Sequence, residues 1–305
     1  MTTRTMTVRP VSGALGAEVF GVDLTRLDDE RFAEIRSLWL EHLVLFFPGQ
    51  ELDPDAHVAF ARRFGEPEIH PYSAKLDDAH PEIMLLDSVQ TDTFHTDVTF
   101  SETPPPASIL HMVVCPSLGG DTIWTNQYLA FETLSPPMRD LVSGLTARHN
   151  AWPMGHPEIS ADHPAVRTHP ETGRDALYVN SGFTSHFLEL RRAESDALLD
   201  YLYRWSSQPG FQCRYRWAEG TVAVWDNRCT QHYGVWDYTE RRLLQRVTVL
   251  DGERPVGPLP RWAPFEGEKV ATGTAARRTT TKAAHAVDER TNSIDAAKGD
   301  DLPSM

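Results

Sequence analysis

The chain has 305 residues, of which 40% are hydrophobic and 24% are charged, and its formal net charge is −14. This composition is typical of a globular protein and excludes collagen-like, coiled-coil and disordered chains, and the acidic balance argues against a basic surface for nucleic acid. We find no signal-peptide core at the start and no apolar stretch approaching the ~20 residues of a membrane span. Three cysteines without a CxxC pair argue against disulfides and a structural zinc site. We therefore expect a cytoplasmic protein with no nucleic-acid or membrane partner.

The N-terminal part of the chain predicts short strands and two helices. Residues 8–24 are β-branched and punctuated by glycine, which predicts strands and turns. Apolar residues at helical spacing predict a helix over 28–42, and a second helix over 54–64 begins with a proline at its first position. Between them, the apolar run LVLFFPG (43–49) predicts a buried strand that ends in a turn.

The middle and C-terminal parts predict many short strands with a few helices. Strands are predicted over 83–88, 107–115, 122–126, 176–181, 211–217, 221–226 and 243–250, and helices over 127–134, 137–144 and 192–206. Residues 150–170, rich in proline and histidine, are expected to form an irregular insertion. Without regular βαβ alternation, this pattern predicts a mainly β fold with flanking helices (α+β) and a barrel or jelly-roll core.

The composition of the chain changes near residue 271. Residues 271–305 contain no aromatic side chain and only scattered aliphatic ones, and their charges are mixed. A segment of this kind cannot bury enough apolar surface to fold on its own. We expect a single domain over 1–270 followed by a disordered C-terminal tail over 271–305.

A His-x-Asp motif is the sharpest chemical signal in the sequence. If the segment FHTDVTF (94–100) is a strand, His95 and Asp97 point to the same face and Thr96 points away. A further histidine, His232, follows the predicted strand TVAVWDNR. Two histidines and one carboxylate on neighbouring strands form the facial triad that is diagnostic of non-haem Fe(II) oxygenases. Taken alone, however, His-x-Asp is common, and a single histidine is more often a core or surface residue than a ligand.

Two arginines follow His232 on one predicted strand. Arg242 and Arg246 share a face with Leu244, about 13 Å apart at ~3.3 Å per residue. Guanidinium groups that point into a barrel need anions as partners, such as a carboxylate or a sulfonate. The spacing is equally compatible with surface ion pairs between Arg241, Arg242, Arg246 and the acidic excess.

Six motifs together resemble one enzyme family. They are HTDVTF (95–100), PPASIL (105–110), GGDTIWTN (119–126), RTHPETG (167–173), LYVNSGFT (177–184) and WDNRCTQHYGVWDYTERRLLQRVTVLDGE (225–253). In order and spacing they resemble the taurine dioxygenase family of Fe(II)/2-oxoglutarate oxygenases over residues 8–260. The resemblance implies a double-stranded β-helix, or jelly-roll barrel, with flanking helices.

The resemblance also implies a role for nine side chains. Fe(II) would be held by His95, Asp97 and His232. The distal carboxylate of 2-oxoglutarate would meet Thr122 and Arg242. The substrate site would include His70, Tyr72, Phe183 and Arg246. Among these, Tyr72 stands one position earlier than the tyrosine of the family pattern.

The implied reaction is hydroxylation of a small organosulfonate such as taurine, with O₂ consumed and 2-oxoglutarate converted to succinate and CO₂. Hydroxylation beside the sulfonate would release sulfite and an aldehyde, and the intact Asp97 favours hydroxylation over halogenation. In the family an Asp/Asn-rich loop before the His-x-Asp motif helps to hold the taurine amine, but here that loop is short and carries Thr91 and Gln90 four and five positions before His95. Alkyl sulfate esters and other small anions therefore stay open as substrates. More distant alternatives are a zinc hydrolase and a non-catalytic jelly-roll binding protein, and the family suggests a homodimer or homotetramer.

Overall fold

Strands make up most of the architecture in this computed structural model, which describes residues 6–70, 73–89 and 93–267. The strands are β1 (Thr7–Pro10), β2 (Ala17–Phe20), β3 (Val44–Phe47), β4 (Glu66–Pro67), β5 (Met84–Asp87), β6 (Ala107–Val114), β7 (Thr122–Asn126), β8 (Thr146–Ala151), β9 (His156–Pro164), β10 (Val166–Thr168), β11 (Asp175–Leu177), β12 (Thr184–Phe187), β13 (Gln212–Tyr215), β14 (Val222–Asp226), β15 (Thr230–Gly234) and β16 (Leu243–Leu250). The helices are α1 (Asp29–His42), α2 (Pro54–Arg62), α3 (Gln127–Glu132), α4 (Pro136–Val142) and α5 (Arg192–Ser206).

Two sheets face each other across an aromatic core. The main sheet has the order β1-β2-β3-β14-β6-β16-β4, with β5 also paired to β16, and the smaller sheet has the order β13-β7-β15. Phe46 of the main sheet stacks on Tyr215 of the smaller one at 3.7 Å and packs against Trp124 at 5.3 Å between ring centroids. This two-sheet arrangement with helices outside it is the mainly β, jelly-roll class that the sequence predicts.

Helices α1 and α2 cover the outer face of the main sheet. Each begins at an aspartate whose side chain accepts a hydrogen bond from the first turn, Asp28 for α1 and Asp53 for α2, where Pro54 also occupies the first turn. Their apolar faces pack in one buried cluster with Val247 and Val249 of β16. Because side chains alternate along a strand, the alternate residues Arg246 and Thr248 point to the opposite, inner face of the sheet.

The segment predicted to be irregular is in fact largely β-structure. Residues 150–170 contain β9 and β10, and β9 pairs with β8 in a three-stranded sheet of order β12-β8-β9. The expectation was wrong because the buried positions of β9 are filled by Ala161 and His163 rather than by large aliphatic residues. The ring of His163 donates to the carbonyl of Thr99 at 2.9 Å, so a polar residue fills a core position here.

Two predictions concern residues that the structure does not describe. The tail predicted over 271–305 lies outside the described residues, and so does Tyr72. Among the helices that the structure does describe, none is both long enough and apolar enough to cross a membrane.

A buried histidine in α2 makes the stability of the fold sensitive to acid. His57 is fully buried, and its ring lies 5.9 Å from that of His111. Burial, with a smaller contribution from His111, lowers the pKa of His57 to about 3. In the unfolded chain this histidine has its ordinary pKa of 6.5 and takes up a proton below that pH, whereas the folded protein does not. The free energy of unfolding therefore falls by about 1.4 kcal/mol per pH unit below pH 6.5 because of this group.

We therefore expect His57→Gln to flatten the acid side of the stability profile. The free energy of unfolding, measured by chemical denaturation between about pH 6 and about pH 4, should fall more steeply with decreasing pH in the wild type than in the variant. The difference in slope should correspond to roughly one proton. The partly exposed His80 provides a contrast, because hydrogen bonding to Asp77 raises its pKa and its stabilising contribution is lost as pH rises. Equal slopes for the wild type and His57→Gln would contradict the prediction.

Candidate active site

The three predicted metal ligands meet in one buried cluster. The Oδ1 atom of Asp97 lies 3.8 Å from Nε2 of His95 and 3.8 Å from Nε2 of His232. The two imidazole rings are 4.2 Å apart between centroids. All three donor atoms face one another at spacings that suit a single cation.

An isolated β-bridge and a turn build this cluster, rather than the strand that we assumed for residues 94–100. His95 pairs with His232 of β15 through two backbone hydrogen bonds of 3.1 and 2.8 Å. The chain then turns at once, and Val98 takes a positive φ of 51°. Thr96 is buried and donates to the carbonyl of Thr230, so it does not point outward as predicted.

We predicted no strand at β15, the strand that carries His232. Its residues TQHYG include only one large apolar side chain, so the usual hydrophobic signal of a strand is absent. The strand forms because it pairs along its whole length with β7 of the smaller sheet. Its polar side chains are accommodated by specific contacts, such as that of Gln231, which donates to the carbonyl of Val179 at 2.8 Å.

The protonation states of the cluster suit a divalent metal. Burial alone would raise the pKa of Asp97, but Arg246 and the two histidines outweigh it and hold that pKa well below its usual range. Burial, with a further contribution from His95, lowers the pKa of His232 to about 3. The Nδ1–H group of His95 donates to the carbonyl of Thr93 at 3.1 Å, so Nε2 is the ring nitrogen that faces Asp97. Near neutral pH the cluster thus offers a neutral imidazole from His232 and an ionised carboxylate from Asp97, as metal binding requires.

A second group of ligand-type residues is internally satisfied and does not form a metal site. His169 Nε2 and the guanidinium of Arg228 both bind the carboxylate of Asp226, at 3.0 and 2.7 Å. Burial raises the pKa of the nearby Cys229 thiol well above its usual value. A thiol that stays protonated beside a fully occupied carboxylate is a poor metal ligand.

Arg242 is a buried cation without an anionic partner in the part of the chain that the structure describes. Its Nε atom donates to the carbonyl of Gly120 at 2.9 Å and its Nη2 atom to Thr122 Oγ1 at 3.3 Å. Among the described residues no carboxylate lies within ion-pair distance of it, and the nearby Asp121 is bound by Arg214 at 2.6 Å. Burial lowers the pKa of Arg242, the sign of a charge that is poorly compensated. Such a group predicts an anion as its natural ligand.

Thr122 completes this anion site. Its Oγ1 atom accepts hydrogen bonds from Arg242 and from the indole N–H of Trp217, the latter at 2.9 Å. With its oxygen engaged by two donors, the hydroxyl proton of Thr122 is available for an acceptor on a ligand. Gly120 has a positive φ of 71°, and a Cβ atom there would lie 3.0 Å from the side chain of Arg242. The GGDT motif therefore shapes the pocket around the guanidinium.

Three of the predicted substrate residues lie around the metal-ligand cluster. Arg246 donates from Nη1 to Asp97 Oδ1 at 2.9 Å. His70 is buried, and its pKa is lowered by burial and by the positive charge of Arg246. The ring of Phe183 is 6.0 Å from that of His95 and contacts it edge-on.

Two further residues near the cluster were not predicted. Glu68 is half-buried, its Oε2 atom has no hydrogen-bond partner among the described residues, and burial raises its pKa against the effect of Arg246. Ser108 donates to Asp97 Oδ2 at 2.7 Å. For Ser108 a signal existed in the sequence, namely a serine in a strand that is otherwise mostly apolar.

Comparison with known proteins gives consistent results. Residues 7–248 match the model of the family described as "Taurine catabolism dioxygenase TauD, TfdA family". The alpha-ketoglutarate-dependent sulfate ester dioxygenase of Pseudomonas putida is 38% identical over 276 residues, covering 82% of this chain and 91% of the relative. The alkylsulfatase of Acinetobacter baylyi is 34% identical over 280 residues, covering 84% and 88%. The crystal structure of a taurine dioxygenase from Burkholderia xenovorans superposes with a TM-score of 0.77 at 41% identity, covering 88% and 97%.

These comparisons confirm the jelly-roll class and the enzyme class that the sequence predicts. They also support the predicted requirement for 2-oxoglutarate, the alpha-ketoglutarate of the relative's name, together with O₂ and the Fe(II) that the family implies. The family model spans most of the chain, and it includes all the motifs on which the resemblance was based except the last residues of the final one. The chain therefore belongs to the taurine catabolism dioxygenase TauD, TfdA family.

Proposed function

We propose that this protein is an Fe(II)/2-oxoglutarate-dependent dioxygenase that hydroxylates a small organic anion carrying a sulfonate or sulfate ester group. The observation that carries the proposal is the buried guanidinium of Arg242, which has Thr122 beside it and no carboxylate partner among the described residues. It directly precedes β16, the strand that carries the partly buried Arg246, and Arg246 contacts the metal-ligand cluster directly. The distal carboxylate of a dicarboxylate cosubstrate would supply the anion that Arg242 lacks among the described residues.

His95, Asp97 and His232 would hold the metal. The chemistry that Fe(II) supplies in such a triad is O₂ activation coupled to oxidative decarboxylation of 2-oxoglutarate to succinate and CO₂. The residues of the chain fit this role because His232 is neutral and Asp97 is ionised near neutral pH, and because all three side chains are buried. Burial also keeps bulk water away from the reacting groups.

Arg242 and Thr122 would bind the distal carboxylate of 2-oxoglutarate. The guanidinium would form charge-assisted hydrogen bonds to the carboxylate, and the Thr122 hydroxyl would donate a further one. Trp217 fixes the direction of that hydroxyl because the indole can only donate and so occupies a lone pair of the threonine oxygen. The cosubstrate would thereby be oriented before it reacts.

Arg246, His70 and Phe183 would form the substrate site. In the structure Arg246 is bound to Asp97, whose carboxylate would be shared with the metal when one is present. Arg246 could then turn toward the anionic group of a substrate, with His70 as a second polar contact and Phe183 as an apolar wall. The role of Tyr72 stays a prediction, as do the single domain over 1–270, the disordered tail, the cytoplasmic location and a homodimeric or homotetrameric assembly.

A sulfate ester is as well supported a substrate as a sulfonate. The relative from Pseudomonas putida is named for sulfate esters, whereas the crystal structure from Burkholderia xenovorans is named for taurine. Hydroxylation of the carbon next to either group would release sulfite or sulfate with an aldehyde. A zinc hydrolase would give Arg242 and Thr122 no function, and a non-catalytic binding protein would give none to the three candidate metal ligands together.

A substrate panel tests this proposal. Purified protein with ferrous iron, 2-oxoglutarate and air should form succinate with alkylsulfonates, taurine or alkyl sulfates, and sulfite or sulfate should appear in equal amount. Omission of 2-oxoglutarate or O₂ should stop the reaction. A preference for aryloxyacetates would contradict the proposed substrate class, and turnover that needs only zinc and water would contradict the enzyme class.

A further inference from the structure

A buried serine binds the carboxylate of Asp97 on the side away from the two histidines. Ser108 lies in β6 and is completely buried. Its hydroxyl donates to Asp97 Oδ2 at 2.7 Å, whereas Oδ1 is the oxygen that faces His95 and His232. The two carboxylate oxygens are therefore not equivalent, because Ser108 holds Oδ2 while Oδ1 faces the two histidines.

The direction of the Ser108 hydroxyl is fixed by its neighbours. The indole of Trp225 is a donor only, and it donates to Asn227 Oδ1 at 2.8 Å. The amide nitrogen of Asn227 must then point to Ser108, and it donates to the Ser108 oxygen at 3.0 Å. With its oxygen occupied, the serine has its single proton left for Asp97. All these side chains are almost fully buried, so water does not compete for them.

The same tryptophan also contacts a second metal ligand. The ring of Trp225 lies 4.9 Å from that of His232 between centroids. Trp225 and Ser108 are direct partners in the β14–β6 register. Trp225, Asn227 and Ser108 thus form a continuous series of contacts between His232 and Asp97.

We propose that Ser108, oriented by Asn227 and Trp225, is a positioning residue that restricts Asp97 to binding the metal through one oxygen. The proposal rests on the metal centre of the proposed function. A facial triad leaves three coordination positions open, and a carboxylate that bound through both oxygens would occupy one of them. Ser108 keeps Oδ2 engaged and so preserves the positions needed for 2-oxoglutarate and O₂.

The test is metal binding to Ser108→Ala protein prepared without metal. Calorimetric titration with Mn²⁺ or Co²⁺ is expected to show a dissociation constant about 10- to 100-fold higher than that of the wild type, as for other residues that orient a metal ligand. The visible spectrum of the Co²⁺ form should also change, because Asp97 can then bind through both oxygens. Circular dichroism and thermal unfolding establish that the variant is folded.

Thr248→Val provides a matched control. Thr248 lies directly opposite Ser108 in the β16–β6 register and is almost fully buried, but its hydroxyl has no hydrogen-bond partner among the described residues. Its removal should leave both the dissociation constant and the Co²⁺ spectrum unchanged.

Four outcomes would contradict one or both of the proposals. An unchanged constant and spectrum for Ser108→Ala would overturn the role of Ser108, and so would an equal change in Thr248→Val. A wild-type protein that binds no metal would overturn this role and the proposed function together. Normal metal binding by the wild type, without succinate formation from any substrate, would overturn the proposed function alone.

Discussion

Replacing Asp97 with alanine is expected to abolish succinate formation and to weaken metal binding by more than the roughly 100-fold that loss of an outer-shell partner costs. Asp97 supplies the only negative charge in the candidate triad, and its low pKa keeps it ionised throughout the neutral range. Its removal also leaves Arg246 and Ser108 facing each other without the group that both bind. Activity assays and metal titration of the purified variant measure the two effects separately.

Asp87→Ala is a suitable control for this substitution. Asp87 pairs with Arg241 at 2.7 Å on the surface, so the same change in charge is made away from the cluster. The free energy of unfolding of each variant should be measured as well, because breaking a buried ion pair is more destabilising than breaking an exposed one. Metal binding and turnover that survive in Asp97→Ala would rule out the triad.

The sequence predicted which side chains come together but not the backbone that brings them together. His95, Asp97 and His232 form one cluster, although we assumed a strand where the chain forms a bridge and a turn. The His-x-Asp spacing does not determine the backbone conformation of the segment. Val98 takes a left-handed conformation, which the periodicity of side chains cannot indicate. The convergence depends instead on the pairing of His95 with β15.

Polar residues in core positions account for most of what the sequence did not predict. Strands β9 and β15 were missed because His163, Gln231 and similar side chains fill buried places through hydrogen bonds instead of apolar contacts. The contact of Ser108 was not predicted either, because Asp97, whose carboxylate it binds, lies on a different segment and comes close to it only in the folded protein. The spacing of apolar residues, in contrast, predicted α1, α2 and β16 closely, because in these elements the buried face consists mainly of apolar side chains at regular positions.

The second large effect is expected for Arg242, whose replacement by alanine should raise the KM for 2-oxoglutarate strongly. Truncating one partner of a buried charge-assisted pair costs about 3 kcal/mol, which corresponds to roughly 100-fold in affinity. Since Arg242 has no ion-pair partner among the described residues, its removal should leave no other charge uncompensated in the free enzyme. The variant should therefore fold, and saturating 2-oxoglutarate should restore part of its activity.

Arg246→Ala should show the opposite kinetic pattern. Arg246 contacts the metal-ligand cluster and not Thr122, so its loss should raise the KM for the sulfonate or sulfate ester and leave the KM for 2-oxoglutarate nearly unchanged. Arg241→Ala, which removes an exposed arginine next to Arg242 in the chain, should alter neither constant. Steady-state kinetics with each ligand varied in turn distinguish these cases. If Arg242→Ala and Arg246→Ala affect 2-oxoglutarate alike, the two arginines share one anion site, and the separate cosubstrate and substrate sites proposed here are wrong.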